Sequence, residues 1–477
     1  MNIPISAVKF FYAFLLLTIA LPLSANEYTP EGFYDVDRMV FENGFELVLK
    51  HRPYIPSVSM RLKVNVGMKD YPCGKQETPH FLEHLVFAGT STHTEAELNA
   101  LIEDNGGRWN AYTGQHETVY DIDIHSHYAD LALNLLYEMM TDSTLSQENI
   151  DLSREILLHE MRGAPSRFSK WIYEMELYKS GSDMALDFLG LNCREIDTAE
   201  TVTPDDIKQA FRKHYVPNNM QLVVVGDYDK TEIIQQVSSS FGALPRAQID
   251  GRPPTTLPEV NGPLIFTGSL YPLASNQAQV TLLFPVEGHS SPDRALKIIR
   301  NYLSTRLYNA LRIEKGLTYT PRVSVSREQN YGLFYLIVNT KEDDLEKVQT
   351  IISNEIQKLI DGEIAPEVIE SIKRSILLAY SQGFESNAGH ANYYVNSLYE
   401  FDLYESLFDE ESAIAKVTPE DVTAAAKKYL SPENQITIIH DPIFTFSGLL
   451  LFIAALVLGI GILVIYLFRK RFLKFRR

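Results

Sequence analysis

The chain has 477 residues, with 43 Lys+Arg against 61 Asp+Glu and a formal net charge of −18. Hydrophobic residues make up 45% and charged residues 22%, an ordinary globular composition that excludes disorder over most of the length. The acidic balance excludes a sequence-independent nucleic-acid binder, which needs basic surface to neutralise phosphates, so no nucleic-acid partner is expected.

Residues 10–23 (FFYAFLLLTIALPL) form an apolar run behind Lys9, followed by the small residues Ser24 and Ala25. That layout predicts a secretory signal over residues 1–25, with an uncleaved anchor as the alternative because Leu23 is bulky so near the cleavage point. Strands are predicted near 45–67. The segment TPHFLEHLVFAG (78–89) then reads as a helix with Thr78 as its cap and Pro79 at its first position. His80 and His84, four apart, project from one face with Glu83 beside them. Two imidazoles at that spacing can reach one zinc ion at about 2.0–2.1 Å. A carboxylate one residue from a ligand can take a proton from water activated there.

Two later segments read alike. VTPDDIKQAFRKHYVPNNMQLVVVGD begins at Val202 and VTPEDVTAAAKKYLSPENQITIIHD at Val417, with Val, Thr, Pro and Asp matching at an offset of 215. In each, Thr caps a helix that opens on Pro and ends in a Pro/Asn turn feeding a β-branched strand. Two homologous domains of about 200 residues are predicted, at 30–245 and 264–440. Residues 246–263, rich in Pro, Gly and Thr, read as their linker. Strands, helices, a strand pair and long helices recur in each half. The expected class is therefore α+β, each domain a largely antiparallel sheet packed by helices.

Near the end, the 25 residues from Phe444 to Phe468 carry no formal charge. A helix of that length exceeds the roughly 30 Å hydrocarbon core of a bilayer. A transmembrane helix over 444–468 is predicted, and the basic cluster RKRFLKFRR at 469–477 should be its cytoplasmic tail. Residues 26–440, which carry −24 of formal charge, then lie outside the cytoplasm. They hold no Asn-x-Ser/Thr sequon, which inclines the reading to a periplasm and a single-pass inner-membrane protein. Cys73 and Cys193 could pair in such a compartment if their Cα atoms are close enough.

The HxxEH of residues 80–84 is the inverted zinc motif, and the sequence resembles the insulinase/pitrilysin family of metallopeptidases, closest in layout to the two-domain, processing-peptidase-like members. The resemblance implies a third ligand in SREILLHE (153–160), at Glu160, and hence one Zn²⁺ per chain held by His80, His84 and Glu160, with Glu83 as the catalytic base. It implies that Asn110 and Ala111, within GRWNAYTGQHETVYDI with Thr118 and Tyr120, lie beside bound peptide. It also implies that Arg312 and Tyr319, in LRIEKGLTY, reach across from the second domain to the substrate and the oxyanion position. The family usually has a supporting Glu seven residues before the third ligand. Here that position is Ser153, with Asp151 or Glu155 as the candidates to compensate. The expected activity is a membrane-anchored zinc endopeptidase acting on peptides or unfolded polypeptides, as a homo- or heterodimer. The alternative is a weak or inactive peptide-binding subunit of a peptidase complex.

Overall fold

A computed structural model describes residues 32–475 except 162–166, 168–170, 172–179, 194–197, 253–254, 269–274, 290–292 and 443. The predicted signal over 1–25 lies outside the described residues.

The N-terminal half folds on a six-stranded sheet in the order β1-β2-β6-β3-β5-β4. Its strands are β1 Asp37–Val40, β2 Glu46–His51, β3 Ser57–Val64, β4 Arg108–Thr113, β5 Thr118–His125 and β6 Met220–Gly226. The C-terminal half repeats the plan with five, β7-β11-β8-β10-β9. These are β7 Leu264–Gly268, β8 Gln277–Val286, β9 Arg322–Arg327, β10 Gly332–Lys341 and β11 Ile436–His440. In both sheets the last strand of the half pairs parallel with the first long strand (β6 with β2, β11 with β7), and the remaining pairs are antiparallel.

The duplicated helices form as expected. Thr203 caps Pro204–His214 and Thr418 caps Pro419–Tyr429, each in a reciprocal capping box with the Asp three residues on. The inner face of each sheet carries the core: Met60, Leu62, Val64, Tyr120 and Ile122 in the first half, and Val280, Leu282, Phe284, Phe334 and Leu336 in the second.

The outer faces interlock the halves. The helix Asn387–Ser397 of the second half packs on β3 and β6, with Ala391, Tyr394 and Val395 covering Val48, Val119, Val223 and Val225. Reciprocally, the helix Gly181–Phe188 packs on β7 and β11 through Ala185. The described part of 246–263 contains no helix or strand, and its Arg252 donates to the Asp70 carboxylate and to Asn65 O in the first half.

A disulfide joins Cys73 and Cys193, whose Cα atoms are 5.2 Å apart, well inside the span a bridge allows. The last helix runs Phe446–Phe475, and its segment Phe446–Arg469 has a mean hydropathy of 3.0. It starts two residues after the predicted Phe444 because Thr445 Oγ1 accepts from Gly448 N and caps it. It is the one helix among the described residues long and apolar enough to cross a membrane.

Candidate metal centre

The motif helix spans Thr78–Phe87. Phe81, Leu82, Leu85 and Val86 are fully buried; at about 1.5–3 kcal/mol each, these side chains fix its rotation against the sheet. His80, Glu83 and His84 are thereby turned to the opposite, half-exposed face. Thr78 is not the cap. It lies inside the helix and donates to Lys75 O, while the residue before it, Glu77, already has helical backbone. The chain enters from the tight turn Cys73–Lys75, so no extended residue is available for capping.

The second helix, Gln147–Glu160, is capped by Ser146 and locked to the first. Asn149 Nδ2 donates to Ala88 O at 3.3 Å, and the Arg154 guanidinium lies 4.9 Å from the Phe81 ring centre. This lock aims Glu160 at the histidines. Glu160 Oε2 is 3.4 Å from His80 Nε2 and 3.8 Å from His84 Nε2, and the two Nε2 atoms are 3.4 Å apart. Ligands at 2.0–2.1 Å from one tetrahedral zinc lie about 3.3–3.4 Å from each other. The three atoms therefore fit a single Zn²⁺ with a fourth direction open. They are the only such group of three among the described residues.

Electrostatics differ between the two imidazoles. Burial acts to lower His80, but the Glu77 hydrogen bond and the charges of Glu83, Glu77 and Glu160 outweigh it and raise its pKa. His84 is lowered by burial and by the neighbouring His80. Glu77 is the residue that sequence reasoning missed: its Oε2 sits 2.9 Å from His80 Nδ1, the nitrogen turned away from the metal position. Ser153 is buried against the cavity, whereas Asp151 and Glu155 are exposed and do not line it. Neither compensates for the Glu that the resemblance leads one to expect.

A cavity of about 630 Å³ surrounds the three ligand candidates, bounded by Glu83, Asn110, Ala111, Tyr112 and Thr113. Thr113 Oγ1 donates to Glu83 Oε2 at 2.5 Å. Asn110 and Ala111 lie on β4, the edge strand of its sheet, so among the described residues their far main-chain edge has no strand partner. Thr118 and Tyr120 belong to the core instead. Thr118 donates to Val66 O, and the Tyr120 hydroxyl pairs with that of Tyr215 at 2.6 Å. Arg312 and Tyr319 do not reach this cavity. They stack on each other at 5.1 Å on the surface, with Tyr319 80% exposed.

Comparison with known proteins places the chain among peptidases. Residues 46–183 match the family described as insulinase (peptidase family M16), and residues 201–376 match the peptidase M16 inactive domain. An uncharacterized zinc protease of Streptomyces coelicolor is 25% identical over 419 residues, covering 86% of this chain and 90% of the relative. A probable mitochondrial-processing peptidase subunit beta of Arabidopsis thaliana is 24% identical over 360 residues, 70% of this chain and 66% of that one. Among solved structures, a protease from Helicobacter pylori superposes with a TM-score of 0.72 at 20% identity, covering 86% of this chain and all of that one. A peptidase M16 inactive domain from Pseudomonas fluorescens gives 0.70 at 17% identity, covering 86% and 98%. The chain belongs to the insulinase family of zinc peptidases, M16.

Proposed function

We propose that the protein is a membrane-anchored zinc endopeptidase for peptides or unfolded polypeptides, and the convergence of His80 Nε2, His84 Nε2 and Glu160 Oε2 carries that reading. When bound, zinc supplies Lewis-acid activation of water and carbonyl. Glu83 takes a proton from the attacking water and delivers it to the leaving amine. Thr113 engages one Glu83 oxygen and leaves the other for that transfer. The free edge of β4 at Asn110 and Ala111 binds substrate main chain by strand addition, largely independent of sequence. Arg312 and Tyr319 stabilise charge on the scissile carbonyl once the second half, or a second chain, covers the cavity. A dimer is the arrangement that would supply such a cover.

In this scheme residues 30–245 are the metal-binding domain and 264–440 its non-metal copy, linked by 246–263. The helix from Phe446 anchors both to a membrane, with the basic tail cytoplasmic and the domains periplasmic. The test is hydrolysis of a quenched peptide by the purified full chain. Activity should vanish on chelation, return with Zn²⁺, and vanish in Glu83→Gln with metal retained. An unaffected Glu83→Gln enzyme would refute the base. Ser153, in place of a supporting carboxylate, favours a second reading: a peptide-binding subunit that holds metal but turns over weakly.

A further inference from the structure

The duplication extends to the active-site cavity, and in the second half its charge is inverted. The buried Thr78, Pro79, Phe81, Leu82, Leu85 and Val86 of the motif helix match the buried Ala295, Leu296, Ile298, Ile299, Tyr302 and Leu303 of the helix Ala295–Leu307 at a constant offset of 217. That register sets Lys297, Arg300 and Asn301 in the places of His80, Glu83 and His84. The Glu160 helix matches Pro366–Gly383 at an offset of 219, with Ile150 and Leu157 falling on the buried Ile369 and Ile376. An independent contact fixes this second register. Arg154 Nη2 donates to Val202 O, and its counterpart Lys373 Nζ donates to Val417 O, the duplicate of Val202. Glu160 then corresponds to Ala379.

These replacements line a cavity of about 530 Å³ that includes Lys297, Arg300, Asn301, Ala379, Arg327 and Glu410. Its lining carries three fixed cations against one carboxylate, and that carboxylate already serves Lys297 at 2.9 Å and Arg294 at 2.8 Å. Among the described residues Arg300 reaches only its neighbour Asn301 Oδ1, at 3.4 Å. Arg327 donates one Nη2–H to Asp293 O, and its buried Nε has no partner. Asp293 Oδ1 is engaged at the start of the helix by Ala295 N. Among the described residues neither guanidinium makes an ion pair with a carboxylate, although Asp293 and Glu410 lie near enough to Arg327 to offset part of its charge, in a protein of net charge −18. A partly buried guanidinium fork is matched by a planar or tetrahedral oxyanion that accepts two hydrogen bonds.

We propose that this cavity is a binding site for a small oxyanion, a carboxylate or a phosphate, at the place equivalent to that of His80, Glu83 and His84 in the first half. Arg300 and Arg327 hold its oxygens, and the Tyr380 hydroxyl, which already accepts from Lys297 at 2.7 Å, keeps its own proton to donate. The site does not depend on the zinc reading, because binding is measured without turnover.

The test is calorimetric titration of the full chain in detergent with three probes: inorganic phosphate, N-acetyl-alanine and N-acetyl-alanine amide. Phosphate, the acid or both should bind, the amide should not, and Arg300→Gln and Arg327→Gln should each weaken binding by about tenfold or more. Binding of phosphate alone or of the acid alone supports the proposal and identifies the source of the oxyanion. Arg300 is exposed, so its replacement leaves the fold intact and keeps the result readable if Arg327→Gln misfolds. Absence of binding by the wild type, or binding that Arg300→Gln leaves unchanged, would overturn the site.

Discussion

Glu77 Oε2 lies 2.9 Å from His80 Nδ1, on the side of the imidazole away from the metal position. A carboxylate there fixes the ring's tautomer and orientation and makes Nε2 a better donor to metal. The family resemblance places such support on the Glu160 helix; here Glu77, the residue just before the motif helix and three before His80, is the carboxylate in position to give it. We expect Glu77→Gln to weaken zinc affinity by about 10–100-fold, with Glu77→Asp intermediate. Competition with a chromophoric chelator measures this, and unchanged affinity would remove Glu77 from the site.

Thr113 and Glu83 make a second such pair. Thr113→Val deletes the hydroxyl that donates to Glu83 Oε2 while keeping the volume. The expected result is a loss of kcat on the order of tenfold with KM and bound zinc nearly unchanged, since only the base is left less well oriented.

Arg312 and Tyr319 sit on the surface outside the cavity, which leads to a complementation prediction. If a second chain supplies them, Glu83→Gln and Tyr319→Phe proteins should be nearly inactive separately. Mixed, they should regain part of the wild-type rate. If closure within one chain supplies them, mixing restores nothing.

Glu400 gives a pH dependence. It is buried and accepts from Phe408 N at 2.7 Å. Burial is the main cause raising its pKa from 4.5 to about 7, assisted by Glu410 and opposed by that hydrogen bond and by Arg294 and Lys297. An acid raised on folding contributes stability that is complete below its unfolded value and lost as pH rises through the folded one. Glu400→Gln should therefore melt above the wild type near pH 8, with the gap closing toward about pH 5. A gap that widens on acidification would contradict the assignment.

Much of the molecule is legible in the sequence. The helix of residues 78–87 follows from its apolar spacing, and the duplicated capping boxes at Thr203 and Thr418 mark the helices that lead into equivalent strands, β6 and β11, of the two sheets. What escapes is whatever depends on entry geometry or on distant packing. Reading Thr78 as a cap hides Glu77, although Glu77 and His80 have the three-residue spacing of one helical face. The helix Asn387–Ser397 reads as part of the second half, yet its buried face belongs to the first half's sheet, a partner that helix periodicity does not name. The placement of Arg312 and Tyr319 depends likewise on how the halves, or two chains, come together.

The most direct measurement of the central claim is the zinc content of purified, folded full-length protein beside His84→Ala and Glu160→Gln variants. About one zinc per wild-type chain, greatly reduced in both variants, is the expected result. A folded wild type that binds no zinc, or variants that retain it fully, would contradict the assignment of these three side chains as one metal centre.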